Sequence, residues 1–174
     1  DHNSDQKDIS QIKKQLGKSN IKNTFINLDL SEFNNHVKKI NAKNQPLSNN
    51  QLSNMCNLHK SFLIAKKQCN DLIYFVEDDY IHCNDSLEKM ILSYERLSSQ
   101  LNQELILCPT DYPYLYSKID PTKIFLGSNV HWRRIEETLC TFLTSKKILE
   151  KYWDKFISMC QFEHYPFEKP LHEI

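Results

Sequence analysis

The 174-residue sequence contains only two glycines, Gly17 and Gly127. Glycine-rich loops that hold phosphate through backbone N–H groups need several glycines at fixed spacing. Neither the G-x-G-x-x-G pattern nor the G-x-x-x-x-G-K-[ST] pattern can therefore occur. A phosphate group would have to be held by a metal ion, by basic side chains or by the N-terminus of a helix.

The sequence also lacks an apolar run of about 18 residues and the pattern of a signal peptide. Lysine and arginine number 22, as do aspartate and glutamate, so bulk charge does not indicate binding to nucleic acid or to a membrane surface. We expect a soluble, cytoplasmic protein that can lie at the periphery of a membrane. The length suits one domain with a single core.

The six cysteines are widely spaced and form no C-x-x-C pair. They are Cys56, Cys69, Cys83, Cys108, Cys140 and Cys160. This spacing indicates neither a zinc site nor a small disulfide framework. We expect most of them to be buried thiols in a reducing compartment. The even number also permits disulfides, and that alternative stays open.

Residues 72–79, Leu-Ile-Tyr-Phe-Val-Glu-Asp-Asp, join an apolar run to three consecutive acids. The apolar part predicts a buried strand. Glu77, Asp78 and Asp79 repel one another, so a fold keeps them together where a cation or the hydrogen-bond donors of a substrate offset their charge. Open α/β sheets bind their ligands at the carboxyl ends of strands. The alternative is an ordinary solvated turn before the next helix.

Acidic residues recur in two later segments. The apolar strand predicted at 104–108 leads into residues 109–116, which carry Asp111 among prolines and tyrosines. Rigid aromatic loops often bind flat or ring-shaped ligands such as sugars, although these tyrosines could equally just cover the sheet. Residues 131–137, His-Trp-Arg-Arg-Ile-Glu-Glu, suit an anionic substrate with an acid/base group. A salt-bridged edge strand would have the same composition.

Helical and strand patterns alternate along the chain. Helices are predicted around residues 9–16, 33–40, 50–69, 87–97 and 148–156. Phe33, Val37 and Ile40 form the apolar face of the second helix, and Ser145 is the predicted cap of the last. Strands are predicted at 24–30, 72–76, 104–108, 123–126, 128–137 and 138–144, with a turn at Gly127. This order predicts an α/β sheet with parallel members, and the late strand pair indicates a mixed sheet. His59 flanks the stripe of the long helix, where a structural role is favoured over a ligand role. We also expect a strand and helix before residue 1, and a domain that extends past residue 174.

Three short segments resemble one enzyme family. Residues 75–81, Phe-Val-Glu-Asp-Asp-Tyr-Ile, resemble the D-x-D-type motif of GT-A nucleotide-sugar glycosyltransferases, in the Glu-Asp-Asp form of some N-acetylglucosaminyltransferases. Residues 1–5, Asp-His-Asn-Ser-Asp, are similar to an Asp-rich turn near the nucleotide base in family 2 enzymes. Residues 131–133, with Thr138 and 141–142, are similar to a segment of uncharacterised bacterial sugar transferases.

This resemblance implies a fold and a ligand set. The fold would be a three-layer, GT-A-like mixed sheet with helices on both faces, forming one domain over residues 1–174 that lacks its first βα unit. Asp79 would coordinate the Mn2+ or Mg2+ that bridges the donor diphosphate. Glu77 and Asp78 would hydrogen-bond the ribose or the sugar, and Asp1 would lie near the base. The metal would act as a Lewis acid toward the leaving nucleoside diphosphate.

An inverting transferase also needs a carboxylate base within about 2.6–3.2 Å of the acceptor hydroxyl oxygen. Asp111 and Glu137 are the candidates, with Glu136 third. Arg133 or Arg134 could hold a phosphate through two hydrogen bonds. A retaining enzyme would not use the base in this way, and the stereochemistry stays open.

The implied function is a metal-dependent hexosyl- or N-acetylhexosaminyltransferase of polysaccharide biosynthesis, which moves a sugar from a UDP-sugar to a glycan or lipid-linked acceptor. A metal-dependent phosphohydrolase would instead need His82, His131 and Asp111 to converge on the acids. A noncatalytic scaffold or carbohydrate-binding domain is favoured if the acids face bulk solvent. The transferase hypothesis requires Asp79 to be free of a buried salt bridge and to lie near a cleft that Asp111 and Glu137 also line.

Overall fold

The computed structural model describes residues 5–41, 43–77, 79–117, 119, 121–137, 139–161 and 168–174. Asp1 and Asp78, predicted to bind the donor, lie outside the described residues, as does Thr138. The described part is a mixed α/β structure with small antiparallel sheets, which confirms the predicted class at that level. Across these ranges, no helix has the length and apolar character that crossing a membrane requires.

The secondary structure elements are as follows. Within the described ranges the α-helices are α1 (Gln6–Leu16), α2 (Asn49–Gln68), α3 (Ser86–Leu101), α4 (Lys146–Lys151) and α5 (Trp153–Gln161). The strands are β1 (Leu72–Phe75), β2 (Ile106–Leu107), β3 (Ile124–Leu126), β4 (His131–Arg133) and β5 (Phe142–Ser145). Short 3-10 helices occupy Leu30–Phe33, Pro113–Ser117 and Lys169–Glu173.

Local capping chemistry determines where two of the helices begin. The Ser48 hydroxyl accepts a hydrogen bond from the Gln51 backbone N–H, and the Ser48 backbone N–H donates to Gln51 Oε1, which closes a capping box on α2. Ser145 caps α4 as predicted, because its hydroxyl accepts from the Ile148 backbone N–H at 3.2 Å. The single helix predicted after Ser145 is interrupted at Tyr152, where α4 ends and α5 follows.

The segment 24–30 does not form the predicted strand. It is irregular and leads into the 3-10 helix Leu30–Phe33, where a longer helix was expected. Asp29 Oδ1 accepts hydrogen bonds from the Ser31 backbone N–H at 2.9 Å and from the Ser31 hydroxyl at 2.7 Å. Such local bonds compete with strand pairing. The core prediction for this region still holds, because Val37 is buried in a cluster with side chains of α2.

Strand β5 is the centre of the larger sheet, whose order is β1-β5-β2. Leu72 pairs with Ser145 and Ile106 pairs with Thr144, and both pairings are antiparallel. The predicted mixed sheet with parallel members is not found among the described strands, whose pairings are all antiparallel, because a strand from late in the chain lies between β1 and β2. Since both run opposite to β5, β1 and β2 point the same way. Their carboxyl ends lie at one end of the sheet.

The larger sheet packs against helices on both of its faces. Successive side chains of a strand point to opposite faces, and this alternation separates two apolar clusters. One cluster holds the sheet residues Ile73, Phe75 and Phe142 together with side chains of α2, α4 and α5. The other holds Leu107 and Leu143 together with Met90 and Tyr94 of α3. The carboxyl ends of the strands are thus held by a core on each side.

Strands β3 and β4 form a separate hairpin, with Phe125 opposite Trp132. The predicted turn at Gly127 lies against α3, because Arg96 Nη1 donates to the Gly127 carbonyl at 3.1 Å. A Cβ atom at Gly127 would collide with Ser93 Oγ and with Trp132 Nε1. Only glycine permits this close approach, and it fixes the hairpin on α3.

Glu104 links three elements next to the larger sheet. The Tyr94 hydroxyl of α3 donates to Glu104 Oε2 at 2.7 Å, and Lys147 Nζ of α4 lies 2.9 Å from Oε1. The hydrogen bond from Tyr94, followed by that from Lys147, lowers the pKa of Glu104 from 4.5 to about 2. Because the pKa of Glu104 is lower in the folded state than in the unfolded state, the carboxylate stabilises the fold at pH values above its unfolded-state pKa. This stabilisation is lost as the pH falls through the folded-state pKa.

We expect the free energy of unfolding to decrease between pH 4.5 and about pH 2 more steeply for the unmodified protein than for Glu104→Gln. Urea denaturation at several pH values measures the two slopes. Glu88→Gln is the matched control, because Glu88 is an exposed acid in the first turn of α3. For Glu88→Gln, the unfolding free energy should change with pH as steeply as it does for the unmodified protein. Equal slopes for the unmodified protein and Glu104→Gln would contradict the assignment.

Candidate functional site

Acidic residues from three segments lie at one end of the larger sheet. Glu77 and Asp79 follow β1, Asp111 follows β2, and Glu137 precedes β5. The Glu77 backbone N–H donates to Thr141 Oγ1 at 2.9 Å, which ties the first acid to the start of β5. The topology therefore gathers residues that are far apart in the sequence, at the end of the sheet where α/β proteins commonly bind ligands.

Asp79 is exposed and forms no ion pair with a residue in the described ranges. Glu77 is half-buried beside it. Burial, followed by the negative charges of Glu77 and Asp79, raises the pKa of Tyr80 to about 12. Tyr80 therefore keeps its proton near neutral pH, so a hydrogen-bond donor lies close to the acids.

His82 connects the segment after β1 to the strand itself. Its Nε2 lies 2.5 Å from the Tyr74 hydroxyl oxygen, and its Nδ1 lies 3.3 Å from the Tyr80 carbonyl oxygen. Both ring nitrogens therefore have partners inside this segment. His131, in contrast, is exposed on β4, where it pairs with Leu126.

Asp111 and Arg133 form an ion pair that is largely shielded from solvent. Arg133 Nε lies 2.5 Å from Asp111 Oδ2, and the two side chains are 20% and 9% exposed, respectively. The Arg133 guanidinium also lies over the Tyr116 ring, 4.6 Å from its centroid. A predicted base and a predicted phosphate ligand thus bind each other.

The tyrosines of residues 109–116 contact acidic side chains. The rings of Tyr112 and Tyr114 stack with a centroid distance of 5.4 Å and an interplanar angle of 17°. The Tyr112 hydroxyl donates to Glu168 Oε1 at 3.2 Å, and the Tyr114 hydroxyl donates to Glu137 Oε2. Burial, followed by the charge of Glu168, raises the pKa of Tyr112. These tyrosines therefore bind the carboxylates of Glu168 and Glu137.

Glu168 is a site residue that the sequence did not predict. It follows a Pro- and aromatic-containing tail without helical or strand periodicity, and its partner Tyr112 lies far away in the sequence. Its negative charge also contributes to the raised pKa of Tyr80. Only the tertiary structure brings this fourth acidic segment to the end of the sheet.

A cavity of about 1390 Å³ lies beside β2 and the β3–β4 hairpin. Asp111, Glu136 and Glu137 line it, whereas Glu77 and Asp79 do not. The structure thus brings the candidate bases into one cavity and leaves the acids after β1 outside its wall. Of the two conditions set for the transferase hypothesis, Asp79 meets the first, because it forms no buried salt bridge with a described residue. It does not meet the second, because it does not line the cavity that Asp111 and Glu137 line. In the described part of the chain, no group of three or more His, Cys, Asp or Glu side chains is arranged to hold a metal ion.

The six cysteines are free thiols. Cys56, Cys140 and Cys160 are buried, Cys69 and Cys108 are half-buried, and Cys83 is exposed, so half of the cysteines are buried where most were expected to be. Burial, followed by the negative charges of Glu77 and Glu168, raises the pKa of Cys140, which lies two residues before β5. A buried thiol with a raised pKa is a poor nucleophile, so Cys140 is assigned a packing role.

His59 of α2 is buried between two rings. Its centroid lies 5.3 Å from that of Phe33 and 5.2 Å from that of His36. Burial, followed by the proximity of His36, lowers the pKa of His59, so the ring is neutral near neutral pH. This packed environment agrees with the predicted structural role.

Comparison of the chain with models of protein families, with curated proteins and with solved structures gives no match. Functional assignment therefore depends on the geometry at the end of the larger sheet and on the short motifs that the acids belong to.

Proposed function

We propose that the chain belongs to a metal-dependent glycosyltransferase with a three-layer, GT-A-like arrangement, and that it transfers a sugar from a UDP-sugar to a hydroxyl acceptor. One observation supports this proposal above the others. The acids after β1, the acid after β2 and the acids before β5 lie at the same end of a sheet that has helices on both faces. If the acids after β1 were only a solvated turn, nothing would require the other two acidic segments to lie at the same end of the sheet.

The donor side of the proposed site consists of the acids after β1. Asp79 is exposed and has no cationic partner among the described side chains, so its carboxylate can bind a cation. Mg2+ is usually bound by one or two carboxylates, with water and substrate phosphates supplying the other oxygens, so a three-residue protein cluster is not required. Mn2+ or Mg2+ bound there would neutralise charge on the UDP leaving group. Glu77, tied to Thr141, would hydrogen-bond the ribose or the sugar.

For an inverting transfer, we assign the proton-accepting role to Glu137 among the candidates Asp111, Glu137 and Glu136. Asp111 already neutralises Arg133, and protonation of Asp111 would leave a mostly buried guanidinium without its counter-charge. Glu137 is half-buried and accepts a hydrogen bond from the neutral Tyr114 hydroxyl. It would need to come within about 2.6–3.2 Å of the acceptor oxygen. Arg133 then positions Asp111, and Arg134 is the arginine available for an anion.

The phosphohydrolase alternative has less support from the described geometry. It needs His82 and His131 to join Asp111 around the acids, but the ring nitrogens of His82 engage Tyr74 and Tyr80. The described contacts of His82 therefore support sugar transfer better than phosphoester hydrolysis.

Mn2+ and UDP added together are expected to raise the thermal unfolding midpoint by about 5–10 °C at 100 times their dissociation constants, and each alone by much less. Asp79→Asn should abolish the joint effect, because it removes the metal-binding charge. Differential scanning fluorimetry measures the midpoints.

Asp71→Asn is the matched control, since Asp71 is an exposed aspartate at the other end of β1. It should retain the joint effect. If Mn2+ and UDP have no joint effect on the unmodified protein, the transferase proposal is wrong. Phosphoester turnover without sugar transfer would support the hydrolase, and metal-independent sugar binding would support a noncatalytic domain.

A further inference from the structure

Two basic residues face each other where the β3–β4 hairpin opens. Ile124 pairs with Arg133, and the Arg134 backbone N–H donates to the Lys123 carbonyl at 2.9 Å, so the ladder continues by one position to Lys123 and Arg134. Like charges directly opposite each other on antiparallel strands destabilise the pairing. A hairpin therefore gains from an anion bound between these two side chains.

Lys123 and Arg134 are exposed, and neither forms an ion pair with a described residue. Three other cations that line the same cavity have acidic partners: Lys89 has Asp85, Arg133 has Asp111 and Lys147 has Glu104. Lys123 and Arg134 thus contribute positive charge to the cavity that the described acids do not neutralise.

The position of the cavity relates this charge to the acceptor. In the proposed reaction, the base contacts the acceptor hydroxyl, whereas the metal-binding acid contacts the donor diphosphate. Glu137 lines the cavity, but Glu77 and Asp79 do not. In the proposed reaction the cavity therefore lies on the acceptor side of the site, and Lys123 and Arg134 line the same cavity as the proposed base.

We propose that this cavity binds an acceptor that carries a phosphate or carboxylate group, and that Lys123 and Arg134 hold that group. Arginine binds such anions through two parallel hydrogen bonds, and lysine adds a point charge. The acceptor role rests on the proposed transferase function, but binding of the anion does not. An acidic glycan and a phosphorylated sugar share this recognition chemistry.

Isothermal titration of the metal-free protein with glucose 6-phosphate, glucuronate and glucose tests the proposal. At least one anionic sugar should bind about tenfold or more tightly than glucose, because hydrogen bonds to charged groups are stronger than neutral ones. Preference for glucose 6-phosphate would identify a phosphate, and preference for glucuronate would identify a carboxylate. Addition of about 0.5 M salt should weaken the binding of either anion, because salt screens interactions between exposed charges.

The variant Lys123→Gln/Arg134→Gln should bind the preferred anion about tenfold or more weakly. Its thermal midpoint without ligand should not decrease, because both side chains are exposed and repel each other. Lys14→Gln/Lys18→Gln removes two exposed cations from the region of α1 and should bind like the unmodified protein.

The proposal is wrong if the unmodified protein prefers no anionic sugar over glucose, or if the Lys123/Arg134 variant binds the anion as well as the unmodified protein does. Anion binding that is lost only in this variant supports the site even when Mn2+ and UDP have no joint effect. That combination would overturn the transferase function and leave the anion site in place.

Discussion

Arg133→Met is expected to lower the free energy of unfolding by about 3–5 kcal/mol, because it removes one partner of a buried ion pair. The Asp111 side chain is only 9% exposed, and Arg133 Nε is its 2.5 Å partner. Without the guanidinium, the carboxylate must remain charged without its partner or take up a proton, and both destabilise the fold. Urea denaturation at pH 7, monitored by circular dichroism, measures the loss.

The exposed ion pair of Lys155 and Glu173 provides the matched control. Its side chains are 42% and 53% exposed, so Lys155→Met should cost less than about 1 kcal/mol. The double variant Asp111→Leu/Arg133→Met should be more stable than Arg133→Met, because no charge is left buried. A loss of less than about 1 kcal/mol for Arg133→Met would show that solvent reaches Asp111 and would contradict the described burial.

Phe142→Ala is expected to lower the free energy of unfolding by about 3–5 kcal/mol. Phe142 is completely buried in the central strand β5, with its ring centroid 5.1 Å from that of Phe75 and 6.1 Å from that of Phe156. Truncation removes apolar contacts on the face that packs on α2 and α5, and leaves a cavity. Thermal and urea denaturation both measure the effect.

Leu126→Ala serves as the control for apolar truncation in a strand. Leu126 is 51% exposed on β3, so its loss should change stability by less than about 0.5 kcal/mol. Similar losses for Phe142→Ala and Leu126→Ala would mean that β5 is not at the centre of the core. The loss of unfolding free energy for Phe142→Leu should fall between the losses for Phe142→Ala and Leu126→Ala, because leucine retains most of the buried apolar volume.

Local patterns in the sequence predicted the elements whose causes are local. The stripe at residues 50–69 predicted α2, the apolar run before Glu77 predicted β1, and Ser145 predicted the start of α4. Each depends on contacts within a few positions of the chain, such as helical periodicity or a hydroxyl cap. Residues 24–30 also have a strand pattern, but they have no strand partner in the described chain. The strand predicted there from the pattern alone is therefore wrong.

The arrangement of the strands could not be predicted in the same way. Placement of β5 between β1 and β2 depends on pairings such as that of Ile73 with Thr144, and local composition does not encode them. The candidate site has the same limitation. The sequence indicated Asp111 and Arg133 separately, but not that they would neutralise each other. Glu168 carries no local signal, because its position depends on the contact with Tyr112.

The central position of β5 has a consequence for the order in which the protein is made. On the ribosome, β1 and β2 emerge before the strand that joins them, and neither can complete its hydrogen bonding in the larger sheet until β5 has followed. Pairing of strands that lie far apart in the sequence is slow compared with helix formation. Thr141, which holds Glu77, emerges immediately before β5. A nascent chain should therefore acquire its acidic site only after β5 has been synthesised and has docked between β1 and β2.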